Sequence, residues 1–201
     1  MSETRRPRPP EDWRPTCPDG LVAAIKADTC LKHIAPNERL SCLLKKMAGK
    51  THLDKAEVYE IARVKSPRRA ARVDALADEC GMRTLTGVAL ADNDLTYGQR
   101  SALLASIPGV GIPTASAILT WCQPSRYAVI DFRVWETLRH FDAVPSKRIA
   151  FTSFHYQGYS LVINELRAQT EMCPFDLDRW LWEFHRNKIQ NSGQAERGRA
   201  L

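Results

Sequence analysis

Two features combine residue type and placing in a way that suggests chemistry: Asp131, and the turn Pro108-Gly109-Val110-Gly111. Asp131 follows the apolar run Ala128-Val129-Ile130 and precedes Val134, Trp135 and Leu138, so it stands where a buried segment turns into a helix. A carboxylate there is an N-cap that accepts backbone N–H groups, worth about 1 kcal/mol. The same placing keeps it ionised and aimed. A reaction with a cationic transition state needs such a group, either to stabilise the charge or to orient an attacking water. From the sequence both roles stand.

The glycine turn lies between two helical patterns, Leu103-Leu104-Ile107 before it and Ala115, Ile118, Leu119 and Cys122 after it. Gly109 and Gly111 permit positive φ and let a ligand approach the backbone, while N–H groups at the start of the following helix face outward at its positive dipole end. The turn is therefore an anion site, or else a plain link between helices. A basic cluster, Arg63, Lys65, Arg68, Arg69 and Arg72, surrounds Pro67. Lys65 suits a phosphate or base-pocket contact, or an amine facing Asp131; as a nucleophile its surroundings favour a solvated lysine instead. For Arg68 and Arg69 a DNA-backbone contact and an ordinary charged surface weigh equally. Tyr127, Trp135, Tyr156, Tyr159, Trp180 and Trp182 are candidates to stack on an extruded base, although aromatics at helical spacing are mostly core.

Helices must position all of these. From Gly20 the apolar spacing is helical through Leu21, Ala24 and Ile25; Pro36 opens a second helix that Gly49 ends. Asp54 and Glu57 make a capping box for a third, a fourth runs from Ala70 to a stop at Gly81, and a fifth covers Thr84 to Ala91. Pro145 begins a long helical zone with a break near Gly158, and Pro174 begins a helix with one aromatic side. The expectation is an all-α chain of about nine or ten helices. Residues 1–19 read as a disordered basic, Pro-rich tail, 20–187 as the helical domain with a hairpin-containing lobe at about 94–142, and 188–201 as a polar basic tail.

The 201 residues carry 29 Lys and Arg against 23 Asp and Glu, a net charge of +6 that favours a polyanionic partner, nucleic acid first and an acidic protein second. Six cysteines at wide spacing without a C-x-x-C pair read as reduced thiols, mostly in the core. No apolar run suits a membrane span or a secretory signal, so a cytoplasmic protein without membrane contact is expected. No zinc site is expected around His33, Cys30 and Cys42.

Leu104 to Gly111 with Thr114-Ala115, followed by Ile130-Asp131 with Asp131 22 residues after Gly109, resembles the helix-hairpin-helix DNA glycosylase superfamily, which includes endonuclease III and 8-oxoguanine glycosylase. The likeness covers about thirty-five residues. It implies two helical lobes around a cleft. It also implies that Pro108, Gly109, Val110, Gly111 and Thr114 meet DNA phosphate, that a monovalent cation sits on the carbonyls of Ala105, Ile107 and Val110, and that Asp131 assists cleavage of the N-glycosidic bond of a flipped base.

The chain departs from the family where bifunctional members carry a nucleophilic lysine, since Pro113 has no amine for a Schiff base. A monofunctional glycosylase, acting as a monomer on DNA, is the implied activity. After Asp131 comes Phe132-Arg133, where many relatives have Thr-His; Arg133 is a phosphate contact or a surface ion pair. Only Cys173 follows Asp131, so the four-cysteine iron–sulfur loop of some relatives cannot form, and no cofactor beyond the hairpin cation is expected. The competing expectations are a non-catalytic helix-hairpin-helix DNA-binding protein and a helical adaptor for an acidic protein.

Overall fold

The computed structural model describes residues 16–28, 38–76, 78–146 and 150–190. The expectations for the tail before Thr16, for Cys30, His33 and Pro36, and for the tail after Gln190 lie outside these residues. Ten α-helices follow one another: α1 (Asp19–Ala27), α2 (Glu38–Met47), α3 (Lys55–Lys65), α4 (Pro67–Leu76), α5 (Glu79–Leu90), α6 (Tyr97–Ala105), α7 (Ile112–Cys122), α8 (Phe132–His140), α9 (Ser153–Thr170) and α10 (Pro174–Phe184). A π-helical turn, His185–Gln190, continues α10. The described residues form no strand, and none of their helices is long and apolar enough to cross a membrane.

The core is built around α7, which packs against α2, α3, α5, α6 and α9. The apolar spacing of α7 predicts one buried face, but Ile112 and every residue from Thr114 to Cys122 are buried. A helix covered on all sides must be apolar or small all round. Thr114, Ala115, Ser116, Ala117 and Thr120 meet that need, with hydroxyls turned inward: Ser116 donates to the Pro113 carbonyl at 2.9 Å and Thr120 to that of Ser116 at 2.8 Å. Around α7 stand the pairs α3–α4, α6–α9 and α8–α10.

Local signals place several ends as expected. Asp54 accepts the Glu57 N–H at 2.9 Å while Glu57 accepts the Asp54 N–H at 3.1 Å, a complete capping box on α3. Gly49, at φ +76°, follows α2 and its N–H reaches the Cys122 carbonyl at 2.8 Å. Two expectations are corrected. Gly81 does not stop a helix: Asp78 caps α5 through the Gly81 N–H, so this glycine lies in the first turn of α5. Nor does Gly158 break the long zone; α9 runs unbroken for 18 residues and buries Gly158. The cysteines are less buried than their spacing suggests: of the five described, only Cys122 is in the core, where burial pushes its thiol up to about 12, while Cys42 and Cys80 are exposed.

Arg100 is a buried cation, 2% exposed, that meets no carboxylate among the described residues. Its guanidinium donates to the carbonyls of Ala89, Ala91 and Asn93 at 2.7 Å, and to that of Leu95 at 3.0 Å. A single side chain thus satisfies the connection between α5 and α6. That connection leads into the helix preceding the glycine turn.

Candidate active site around Asp131

After α7 the chain runs through Tyr127, Ala128, Val129 and Ile130, all buried, and enters α8. This segment has no strand partner, so side chains must satisfy its backbone. The Tyr159 hydroxyl donates to the Val129 carbonyl at 3.0 Å, the Tyr156 hydroxyl reaches the Ala128 carbonyl at 3.4 Å, and the Ile130 N–H donates to Ser116 Oγ at 3.1 Å. Helix α9 and the first turns of α7 therefore fix where Asp131 sits. Asp131 is the N-cap of α8, with Oδ1 accepting the Val134 N–H at 3.1 Å.

Its other oxygen meets a cation. Lys65 Nζ, from the last turn of α3, donates to Asp131 Oδ2 at 2.9 Å, and the two side chains are only 17% and 25% exposed. The expectation of a solvated Lys65 is thereby corrected. The end of α3 is aimed at the start of α8, 66 positions further along the chain, a meeting that local charge enrichment does not signal. Burial pushes the Asp131 carboxyl up, but the Lys65 ammonium and the N–H groups of Val134 and Arg133 outweigh it and hold Asp131 below the usual carboxylate range. It is ionised at neutral pH.

A second carboxylate belongs to the same site. Asp178, on α10, is pushed well above its ordinary value by burial and by the negative charge of Asp131, with Lys65 and the Val129 N–H pulling the other way. The same surroundings thus push the two carboxyls in opposite directions, Asp131 down and Asp178 up, a division found where acid and base roles are split. His185, at the start of the π-turn, is kept neutral at pH 7 because burial and then Arg133 lower its pKa.

The glycine turn is tied to the same corner of the fold. Gly109 has φ +87°, and a Cβ there would lie 2.7 Å from the Arg69 carbonyl and 2.8 Å from the Val73 N, both backbone atoms of α4. Glycine is therefore demanded by α4 as well as by any ligand. At Gly111 a Cβ would lie 2.6 Å from Arg69 Nη1, so this guanidinium reaches the turn, and Arg68 and Arg69 are both exposed. Within the turn the Val110 N–H donates to the Ile107 carbonyl at 3.0 Å, and the N–H groups of Thr114 and Ala115 donate to the Gly111 carbonyl at 2.9 and 2.8 Å. Two phosphate candidates are corrected accordingly: Val110 and Thr114 have engaged N–H groups and side chains only 6% and 1% exposed. No acceptor among the described residues serves the N–H groups of Gly109, Gly111 and Ile112, and Pro108 is exposed. For the hairpin cation, the carbonyls of Ala105, Ile107 and Val110 lie in this turn, that of Ile107 already accepting one hydrogen bond. The described residues place no group of three or more His, Cys, Asp or Glu that could hold a metal.

Base-pocket candidates are corrected as well. Tyr127, Trp135, Tyr156 and Tyr159 are at most 2% exposed, and all but Tyr127 direct their polar atoms to backbone carbonyls, Trp135 Nε1 reaching that of Pro145 at 3.1 Å. They are core, and two of them hold the Asp131 segment. Arg133 lies with its guanidinium carbon 4.7 Å from the centre of the Trp182 ring, a cation–π contact. A surface hollow of about 570 Å³ lined by Cys17, Leu161 and Glu165 includes neither Lys65 nor Asp131.

No family model, curated protein or solved structure matches this chain. What the site can do rests on its own geometry. A positioned anion and a cation stand together where the end of α3 meets the start of α8, Asp178 of α10 feels the charge of both, and Gly109 of the glycine turn packs against α4. Asp178, Ser116, Phe132 and His185 carry no signal in the sequence that marks them as site residues. The Asp176-Leu177-Asp178 spacing carries no signal for Asp178, which occupies what looks like a polar helix position.

Proposed function

We propose that this chain is a monofunctional DNA glycosylase: it flips a damaged or modified base and hydrolyses its N-glycosidic bond, with Asp131 as the essential carboxylate. The observation that carries this reading is the state of Asp131, an N-cap held ionised by a cation and helix amides in a largely enclosed position. As the bond from C1′ to the base nitrogen breaks, its electron pair leaves with the base and positive charge develops on the sugar. A fixed carboxylate stabilises that charge, and water then adds to C1′ and gives up a proton, which balances the one the departing base takes up. DNA binds across the glycine turn and the exposed Arg68, in two helical lobes around a cleft, and the protein acts as a monomer in the cytoplasm, in base excision repair or in defence against modified foreign DNA.

Lys65 has a definite part in this scheme. Its ammonium neutralises Asp131 in the free protein and so competes with the cation of the transition state. A DNA phosphate that draws Lys65 away frees the carboxylate once the substrate is seated. Pro113, where bifunctional relatives have a lysine, suits the first turn of α7 and supplies no amine.

One observation favours a second reading, a non-catalytic helix-hairpin-helix DNA-binding protein: both Asp131 oxygens already serve the fold, one capping α8 and one pairing with Lys65. Mass spectrometry of bases released from damaged and from phage-type modified DNA separates the readings. A freed base with an abasic strand left behind supports the enzyme. Salt-sensitive DNA binding with no base released at stoichiometric protein supports the binding protein and overturns the glycosylase.

A further inference from the structure

Directly after Asp131, at the first position of α8, stands Phe132, 64% exposed and the most exposed large apolar side chain among the described residues. It is not isolated. Its ring meets that of His185 edge-on, with centroids 6.2 Å apart and planes at 71°. Beside it Trp182 carries two cations, the guanidinium carbons of Arg133 and Arg186 lying 4.7 and 5.5 Å from its ring centre. Glu183 braces Arg186 at 2.7 Å, while half of the arginine side chain remains in solvent. His185 is 8% exposed and its buried Nδ1 has no hydrogen-bond partner.

An exposed aromatic face flanked by stacked arginines has a specific complement. Base pairs inside a duplex present only their edges to a protein, so a ring such as Phe132 can stack only on a base that has left its own stack. The arginines supply charge for the phosphates on either side, in keeping with the net charge of +6. We propose that the face formed by Phe132, Trp182, His185, Arg133 and Arg186 holds an unpaired nucleotide of a DNA strand opened beside Asp131. The base stacks on Phe132, and Arg133 and Arg186 meet the flanking phosphates. Placing that nucleotide beside Asp131 rests on the glycosylase reading above; strand binding by this face does not.

The test is fluorescence anisotropy of the full chain with a fluorescein-labelled mixed-sequence single strand and with the same strand in a blunt duplex. Phe132→Ala should weaken single-strand binding by about tenfold, within the range of one lost base stack, and leave duplex binding unchanged. Phe132→Trp should restore it. Arg133→Gln should lower the slope of log affinity against log salt by about 0.7 on the single strand. Equal single-strand affinity of wild type and Phe132→Ala overturns the proposal, as does a loss that Phe132→Trp fails to restore. Base release scored in parallel keeps the two readings apart. Release without Phe132-dependent binding overturns this proposal alone, and Phe132-dependent binding without release overturns the glycosylase alone.

Discussion

Replacing Lys65 by methionine keeps most of the apolar stem and removes the ammonium, leaving Asp131 with its helix N–H groups inside a largely enclosed site. An exposed ion pair contributes roughly 0–1 kcal/mol and breaking a buried one costs roughly 3–5 kcal/mol. With side chains 17% and 25% exposed, this pair lies nearer the buried end, so we expect a loss of about 2–3 kcal/mol at pH 7. For a chain of this size that lowers Tm by about 4–12 °C. The pH dependence identifies the cause. In the wild type the Asp131 carboxyl is held below its ordinary value, so its contribution is present above the unfolded-state pKa and is lost as pH falls through the lowered folded value. In the variant burial is the largest remaining influence and raises the same carboxyl, so protonation relieves the penalty as pH falls from 7 toward 4. The difference between wild type and variant should therefore shrink over that interval. Urea denaturation at pH 7 and pH 4.5 measures it. A loss below about 0.5 kcal/mol at pH 7, or one that does not change with pH, would refute the assignment of Lys65 as the partner that holds Asp131 ionised.

Gly109→Ala should destabilise the chain by more than about 2 kcal/mol in chemical denaturation, because it places a Cβ at positive φ against backbone atoms of α4; a neutral outcome would show that the turn and α4 are not packed as described. Asp178 has a raised pKa, so its contribution to stability is full below the unfolded-state value and declines as pH rises through the folded one. Asp178→Asn, which does not titrate, should therefore gain on the wild type in thermal unfolding as pH rises above the ordinary carboxylate range, and parallel curves would count against a raised Asp178 carboxyl. Pro113→Lys supplies an amine where the bifunctional members of the glycosylase superfamily that the sequence resembles carry one. Borohydride should trap this variant on abasic DNA and leave the wild type untrapped; trapping of the wild type would transfer the amine role to Lys65.

What could be read from the sequence was what adjacent residues decide. The Asp54–Glu57 capping box, the end of α2 at Gly49 and the cap at Asp131 each depend on partners within a few positions, and the structure forms all three. Residues meeting across the chain left no trace. Lys65 and Asp131 lie on helices whose periodicity shows which face is buried but not what covers it. The tyrosines of α9 are candidates to stack on a base because their rings are aromatic. In the fold their hydroxyls satisfy the carbonyls of an extended segment that has no strand partner. Thr114 is a phosphate contact only by the resemblance, and the helix that carries it is buried on every side. Gly109 shows how one residue can serve two demands, since the positive φ that suits an anion site is also what α4 requires.

The central claim is that Asp131 performs chemistry beyond capping α8. It is tested most directly by quantifying free base released in a single turnover from modified DNA by wild type and by Asp131→Asn, each first shown to be folded and to bind the same DNA. Asparagine keeps an oxygen for the Val134 N–H and removes the charge. The account predicts base release by the wild type and a loss of at least a hundredfold in the variant with DNA binding retained. Release at the wild-type rate by Asp131→Asn would contradict it.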